Sequence, residues 1–102
     1  MVERDEVVAA AEALERAAAS STAGDWRLGG LLASRPEVIA HRADGGTEHV
    51  AEARTASARW IAAMSPALAG PLAAWLRSAA RVEPVDPAAV AVARALRDRL
   101  PG

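Results

Sequence analysis

Two stretches of alternating residues, 37–43 (EVIAHRA) and 47–54 (TEHVAEAR), flank Asp44, Gly45 and Gly46. This is the feature that most limits the fold. An Asp-Gly pair between β-like segments supplies the positive φ angles of a tight type I′ turn, so the segment reads as a β-hairpin. With Asp44 and Gly45 as the turn residues, Ile39 lies opposite Val50 and His41 opposite Glu48. Val38, Ala40, His49 and Ala51 then share the other face. A Gly45-Gly46 turn shifts this register by one position per strand. A lone hairpin is marginal in water, so other elements must cover one face.

Those elements read mostly as helices. Residues 3–19 carry Val7, Ala11, Leu14 and Ala18 on one narrow stripe, which predicts packing on a single neighbour or a symmetry mate. The acidic start suits the positive end of a helix dipole. Ser20 to Gly24 is turn chemistry, and a short strand follows at about 25–28 with Trp26 and Leu28 on one face. Residues 31–36 are a connection closed by Pro36. After Arg54 the period becomes helical. Thr55 or Ser57 can cap a helix reaching about Met64. Ser65-Pro66 then reads as a new N-cap and first turn. The helix it opens, to about residue 81, carries Leu68, Leu72, Trp75, Leu76 and Ala79 on one stripe, with a kink or break expected near Gly70-Pro71. Val82 to Val85 links to a last helix, 87–99, opened by Asp86-Pro87 and carrying Ala89, Val92, Ala93 and Leu96. The expected fold is therefore α+β in a single domain over 1–102: an N-terminal helix, a small antiparallel sheet (hairpin plus one short strand), then two to three C-terminal helices.

Composition bears on how well such a fold is held. Of the residues that count as hydrophobic, 28 are Ala; Val and Leu supply nine each, Ile and Met two each, and Trp three. Ala lets backbones approach closely but buries little area, and burial yields only about 25 cal/mol per Å². A thin core predicts self-association, so a homo-oligomer is expected. The net charge of −1 lacks the signature of a disordered chain, and it argues against a general nucleic-acid binder, which shows a basic face. There is no Cys, Lys, Asn, Gln, Phe or Tyr. Without Cys there is no disulfide, thiolate chemistry or Cys-based zinc site. The bias towards Ala, Arg, Gly and Pro is that of a GC-rich bacterial or phage genome. No apolar run approaches a membrane span, and the acidic N-terminus is unlike a signal peptide. A cytoplasmic protein without membrane attachment is expected.

No residue pattern announces catalysis. His41 and His49 are the only histidines. In the Asp-Gly register they face opposite ways, and a metal site normally needs three or four converging ligands. His41 with Glu48 makes an ordinary cross-strand pair. No hydrolytic triad, phosphate loop or cofactor motif is present, so no catalytic residue, metal or cofactor is expected. Trp60 and Trp75 fall at helical core spacing. Trp26, beside Arg27, either stacks on a planar ligand or plugs the end of the sheet. Arg42, Arg54 and Arg59 bracket the hairpin and the next helix, and Arg suits bidentate contacts to phosphate or carboxylate.

Two segments carry a resemblance. Thr22-Ala23-Gly24-Asp25-Trp26 and Ala58-Arg59-Trp60-Ile61-Ala62-Ala63-Met64-Ser65-Pro66 resemble a group of small uncharacterised accessory proteins of actinobacteria and their phages, similar to early-region accessory proteins of temperate phages. The group's pattern is a Thr-Pro-Gly-Pro-Trp-like turn and an Ala-Arg-x-Ile-Ala-x-x-x-Pro helix. Ala23 and Asp25 replace the turn's prolines, Trp60 stands where His or Tyr is common, and Gly70-Pro71 interrupts the later helix. The resemblance implies an accessory role and no particular activity. The expectation is a non-enzymatic protein that binds, sequestering a small anionic nucleotide-like signal at an oligomer interface as an anti-defence factor, with Trp26, Arg42, Arg59 and His49 as the residues to test. The alternative is an inhibitor or adaptor of a host protein, acting through the Ala-rich helices or the hairpin edge.

Overall fold

The computed structural model describes residues 2–29 and 36–101; the connection expected at 31–36 lies outside the described residues except for Pro36. The order of elements is α1 (Val2–Ser20), β1 (Asp25–Gly29), β2 (Glu37–His41), β3 (Thr47–Glu52), α2 (Thr55–Ala63), a 3₁₀ turn (Pro66–Leu68), α3 (Ala69–Ala80) and α4 (Pro87–Arg99). This is an α+β fold with an N-terminal helix, a three-stranded antiparallel sheet in the order β1-β2-β3, and C-terminal helices. The chain divides into two compact units, one of residues 1–20 with 69–102 and one of residues 21–68.

The helical unit is built on Ala. α1 packs along both α3 and α4, not on one neighbour as its narrow stripe suggested. Val7, Ala10 and Ala11 of α1 meet Ala73, Leu76 and Ala80 of α3 and Ala89, Val90 and Ala93 of α4, with Val85 closing the cluster. Small side chains let these backbones come close, so a stripe two residues wide can touch two helices. Leu14, Val92 and Leu96 pack at its margin. On the surface, both guanidinium nitrogens of Arg77 donate to Glu15, each at 2.6 Å, and Arg94 donates to Glu6 at 2.9 Å. The Arg77 hydrogen bonds hold the Glu15 carboxyl below the usual carboxylate range.

Helix boundaries follow the local chemistry with two differences. Asp86 caps α4, its carboxylate accepting from Ala88 N–H at 2.9 Å, with Pro87 in the first turn. The break expected near Gly70-Pro71 falls just before α3: Pro66–Leu68 form a 3₁₀ turn and the α-helix starts at Ala69. Pro71 thereby sits in the first turn, where its missing N–H forfeits no hydrogen bond. Neither Thr55 nor Ser57 caps α2. Arg54 occupies the N-cap position and its side chain makes no capping bond.

In the sheet unit the hairpin forms where expected, with a different turn. Gly45 N–H donates to the Arg42 carbonyl at 3.0 Å, and Arg42 N–H donates to the Gly46 carbonyl at 2.8 Å. The loop is therefore Ala43-Asp44-Gly45. Gly45 has φ +88° and, among the described residues, no non-glycine residue has positive φ, which excludes type I′, since Asp44 would need φ > 0. The geometry is the type I turn followed by a left-handed glycine that makes a three-residue hairpin loop. Asp44 Oδ1 accepts from Gly46 N–H at 2.8 Å and secures it.

This longer loop moves the register. His41 pairs with Thr47, Ala40 with Glu48 and Ile39 with His49; past a bulge between Val38 and Ile39, Val38 pairs with Ala51 and Glu37 with Glu52. Val50 is the extra residue. The Asp-Gly register thus holds beyond the bulge and slips by one before it. One face of the sheet carries Trp26, Leu28, Val38, Ala40 and Ala51, since β1 pairs Trp26 with Ala40 and Leu28 with Val38. Val38 and Ala40 are completely buried, as is Ala58 of α2, which packs on β1 and β2. The opposite face is open and polar.

Candidate functional site

The slipped register decides where the histidines go. His49 is opposite Ile39, two residues from His41, so both histidines lie on the open face and not on opposite faces as the simple register required. Nδ1 of His49 is 2.5 Å from Glu37 Oε2, with both side chains partly exposed; the ring N–H donates to the carboxylate. The His–Glu pair is therefore His49 with Glu37, and not His41 with Glu48. Beside it, Arg27 donates to Asp25 at 2.7 Å. Among the described residues no cluster of three or more His, Cys, Asp or Glu is placed to hold a metal ion. The open face thus carries one cross-strand pair, His49 with Glu37, and one pair along β1, Arg27 with Asp25.

Trp26 points the other way. It is half-buried on the α2 side of the sheet, and its indole Nε1–H donates to the Thr22 carbonyl at 3.0 Å. The turn beneath it is held by Gly24, with φ +115°; a Cβ there would stand 2.8 Å from the His41 carbonyl oxygen. The Thr22-to-Trp26 segment is thus a tight corner closed against β2 by its glycine and latched by its indole. The tryptophan whose ring stood between ligand platform and structural plug has its polar atom engaged inside the protein.

Arg42 leaves the end of β2 and lies between two carboxylates, its Nε 3.7 Å from Asp44 Oδ1 and its Nη1 3.8 Å from Glu48 Oε1. Arg59 is exposed on α2. The four residues singled out from the sequence therefore do not share one surface. Trp26 and His49 are on opposite faces of the sheet, Arg42 is at the hairpin tip, and Arg59 is on the helix.

The surface that stands out was read as core. Trp60 is 68% exposed and Met64 50% exposed. α2 turns Ala58, buried, and Ile61 and Ala62, half-buried, inward. Trp60 and Met64, one helical turn apart, are left on the outside. Leu68 in the following 3₁₀ turn is 37% exposed. Trp75 of α3 likewise is not core: it is 43% exposed, because α3 buries Ala69, Ala73, Leu76 and Ala80 instead. On α2 the cause is geometric. The helix packs on β1 and β2, and the residues it buries or half-buries are Ala58, Ile61 and Ala62.

Charge marks the same helix. Arg27 and Arg42 face carboxylates, whereas no ion pair joins Arg54 or Arg59 to a carboxylate among the described residues. Between Glu52 and Glu83 the sequence contains no Asp or Glu. α2 thus presents an exposed Trp–Met pair with arginine beside it and no acidic residue on the helix. No protein-family model, curated protein or solved structure matches the chain.

Proposed function

We propose that the protein acts by binding, and that it docks another protein on the outward face of α2. The single observation that carries this reading is the exposure of Trp60 and Met64 on adjacent turns of a helix whose inner face is already satisfied. Trp is the residue type most enriched where binding energy concentrates, and Met adapts to irregular partners. The edges of the sheet are poorer docking sites. β3 is interrupted by the bulge at Val50 and carries Glu48, His49 and Glu52, features that discourage strand addition.

A selection from an unbiased displayed peptide library tests this. Ligands are expected for the wild-type chain, and their binding is expected to be lost in Trp60→Ala/Met64→Ala with unchanged circular dichroism. Ligands that bind the double variant equally well would place the docking surface elsewhere.

A competing proposal is sequestration of a small nucleotide-like anion between copies of the chain. What favours it is Arg59, exposed and without a carboxylate partner among the described residues. Such a ligand at 100 times its Kd raises stability by about 2.7 kcal/mol. A thermal-shift panel of cyclic and linear nucleotides that moves nothing removes it.

A further inference from the structure

Resting on α2 as the docking face, we propose that its partner is an acidic amphipathic protein segment: an apolar anchor seated on Trp60 and Met64, with carboxylates on Arg59 and Arg54. The argument is charge complementarity within the sheet unit. That unit is rich in acid elsewhere, with Asp25, Glu37, Asp44, Glu48 and Glu52 on the strands and hairpin turn. Its described strand and turn arginines, Arg27 and Arg42, are matched by carboxylates 2.7–3.8 Å away. Within this unit, among the described residues, only Arg54 and Arg59, at the N-cap and on α2, stand without a carboxylate partner, and there they adjoin the most exposed tryptophan of the chain.

An exposed guanidinium next to an apolar pair selects for a partner that pairs both features at once. A carboxylate accepts two parallel hydrogen bonds from Arg, and a neighbouring apolar side chain covers the indole and thioether. A basic segment places like charges together, and electrostatic complementarity governs partner choice and encounter rate more than raw affinity. The carboxylates that attract basic segments are on the strands and the hairpin turn, and α2 itself carries none.

The test uses the full chain and two labelled helical peptides. They share one Leu/Phe face and differ in carrying either Glu or Lys on the polar face. Fluorescence anisotropy is expected to show the Glu peptide binding about tenfold or more tightly than the Lys peptide. That preference is expected to shrink as salt rises from about 0.05 M to about 0.5 M, where the screening length falls below side-chain reach. Arg59→Glu is expected to lower Glu-peptide binding about tenfold and to raise Lys-peptide binding, while Arg59→Lys keeps the preference. Because Arg59 is exposed, both variants are expected to fold, which circular dichroism checks.

Equal binding of the two peptides, both lost in Trp60→Ala, overturns the acidic partner and leaves protein docking on α2 standing. Binding of neither peptide, with a Trp60 blue shift on phosphatidylglycerol vesicles or on single-stranded DNA, overturns both. Binding of neither peptide without such a shift overturns the acidic partner as well.

Discussion

The two compact units solve the problem of a small-residue chain in different ways. The helical unit gathers Val7, Leu76, Val85, Val90 and a set of alanines into one buried cluster fed by three helices. Among its described residues the sheet unit has Val38, Ala40 and Ala58 fully buried, yet it exposes Leu28, Trp60, Met64 and Leu68. Its order comes more from special backbone positions: Gly24, the Ala43-Asp44-Gly45 turn and the Val50 bulge. Stability thus concentrates where backbones come close. Large apolar side chains such as Trp60 and Met64 are left at the surface.

The largest expected effect that sharpens this contrast is in the helical unit. Leu76→Ala removes the largest completely buried side chain among the described residues and is expected to cost about 2–5 kcal/mol in denaturant unfolding. A loss below about 1 kcal/mol would show that the helical cluster is not where stability resides. Next is Gly24→Ala, which combines a positive φ with a Cβ 2.8 Å from a carbonyl oxygen. It is expected to cost about 1–3 kcal/mol, with amide exchange accelerated in β1 and β2 first. Trp26→Phe keeps an aromatic ring and removes the donor to Thr22 with the pyrrole half of the indole. It is expected to cost about 0.5–1.5 kcal/mol, seen as a lower denaturation midpoint.

The smallest effect is electrostatic. Glu15 titrates below its ordinary value because Arg77 hydrogen-bonds it. A carboxyl depressed in the folded state contributes stability above its unfolded pKa and loses it as pH falls through the folded one. Glu15→Gln is therefore expected to lower the Tm slightly at neutral pH and to match the wild type once the pH is below the folded pKa. A gap that widens on acidification contradicts the pairing.

Much of the fold was legible because local rules act alone. Asp86-Pro87 caps its helix whatever packs nearby, and Asp44-Gly45-Gly46 forces a reversal. The register was less legible because one residue, Val50, bulges out between strands. A bulge depends on how both strands sit under a helix, and nothing in alternating EVIAHRA and TEHVAEAR marks it. The three-residue loop put His49 opposite Ile39 and on the face of His41, and the bulge restored the Asp-Gly pairing beyond it. The core stripes were misplaced for a related reason. Reading periodicity from large apolar residues made Trp60 and Trp75 core, but where Ala predominates the helix face that approaches closest is the one with the smallest side chains. The candidate site was legible only in part: Arg59 was singled out, and its neighbour Trp60 was assigned inward. The missed signal is the absence of acid between Glu52 and Glu83, which marks α2 and α3 as charged differently from the rest.

The claim that the α2 face is a surface and not part of the core is open to one direct measurement, the urea unfolding free energy of Trp60→Ala/Met64→Ala. Exposed side chains contribute little to folding, so a change within about 0.5 kcal/mol is expected. A loss of about 3 kcal/mol or more, the size found on truncating a buried aromatic, would mean that Trp60 holds the fold together and is not available to a partner.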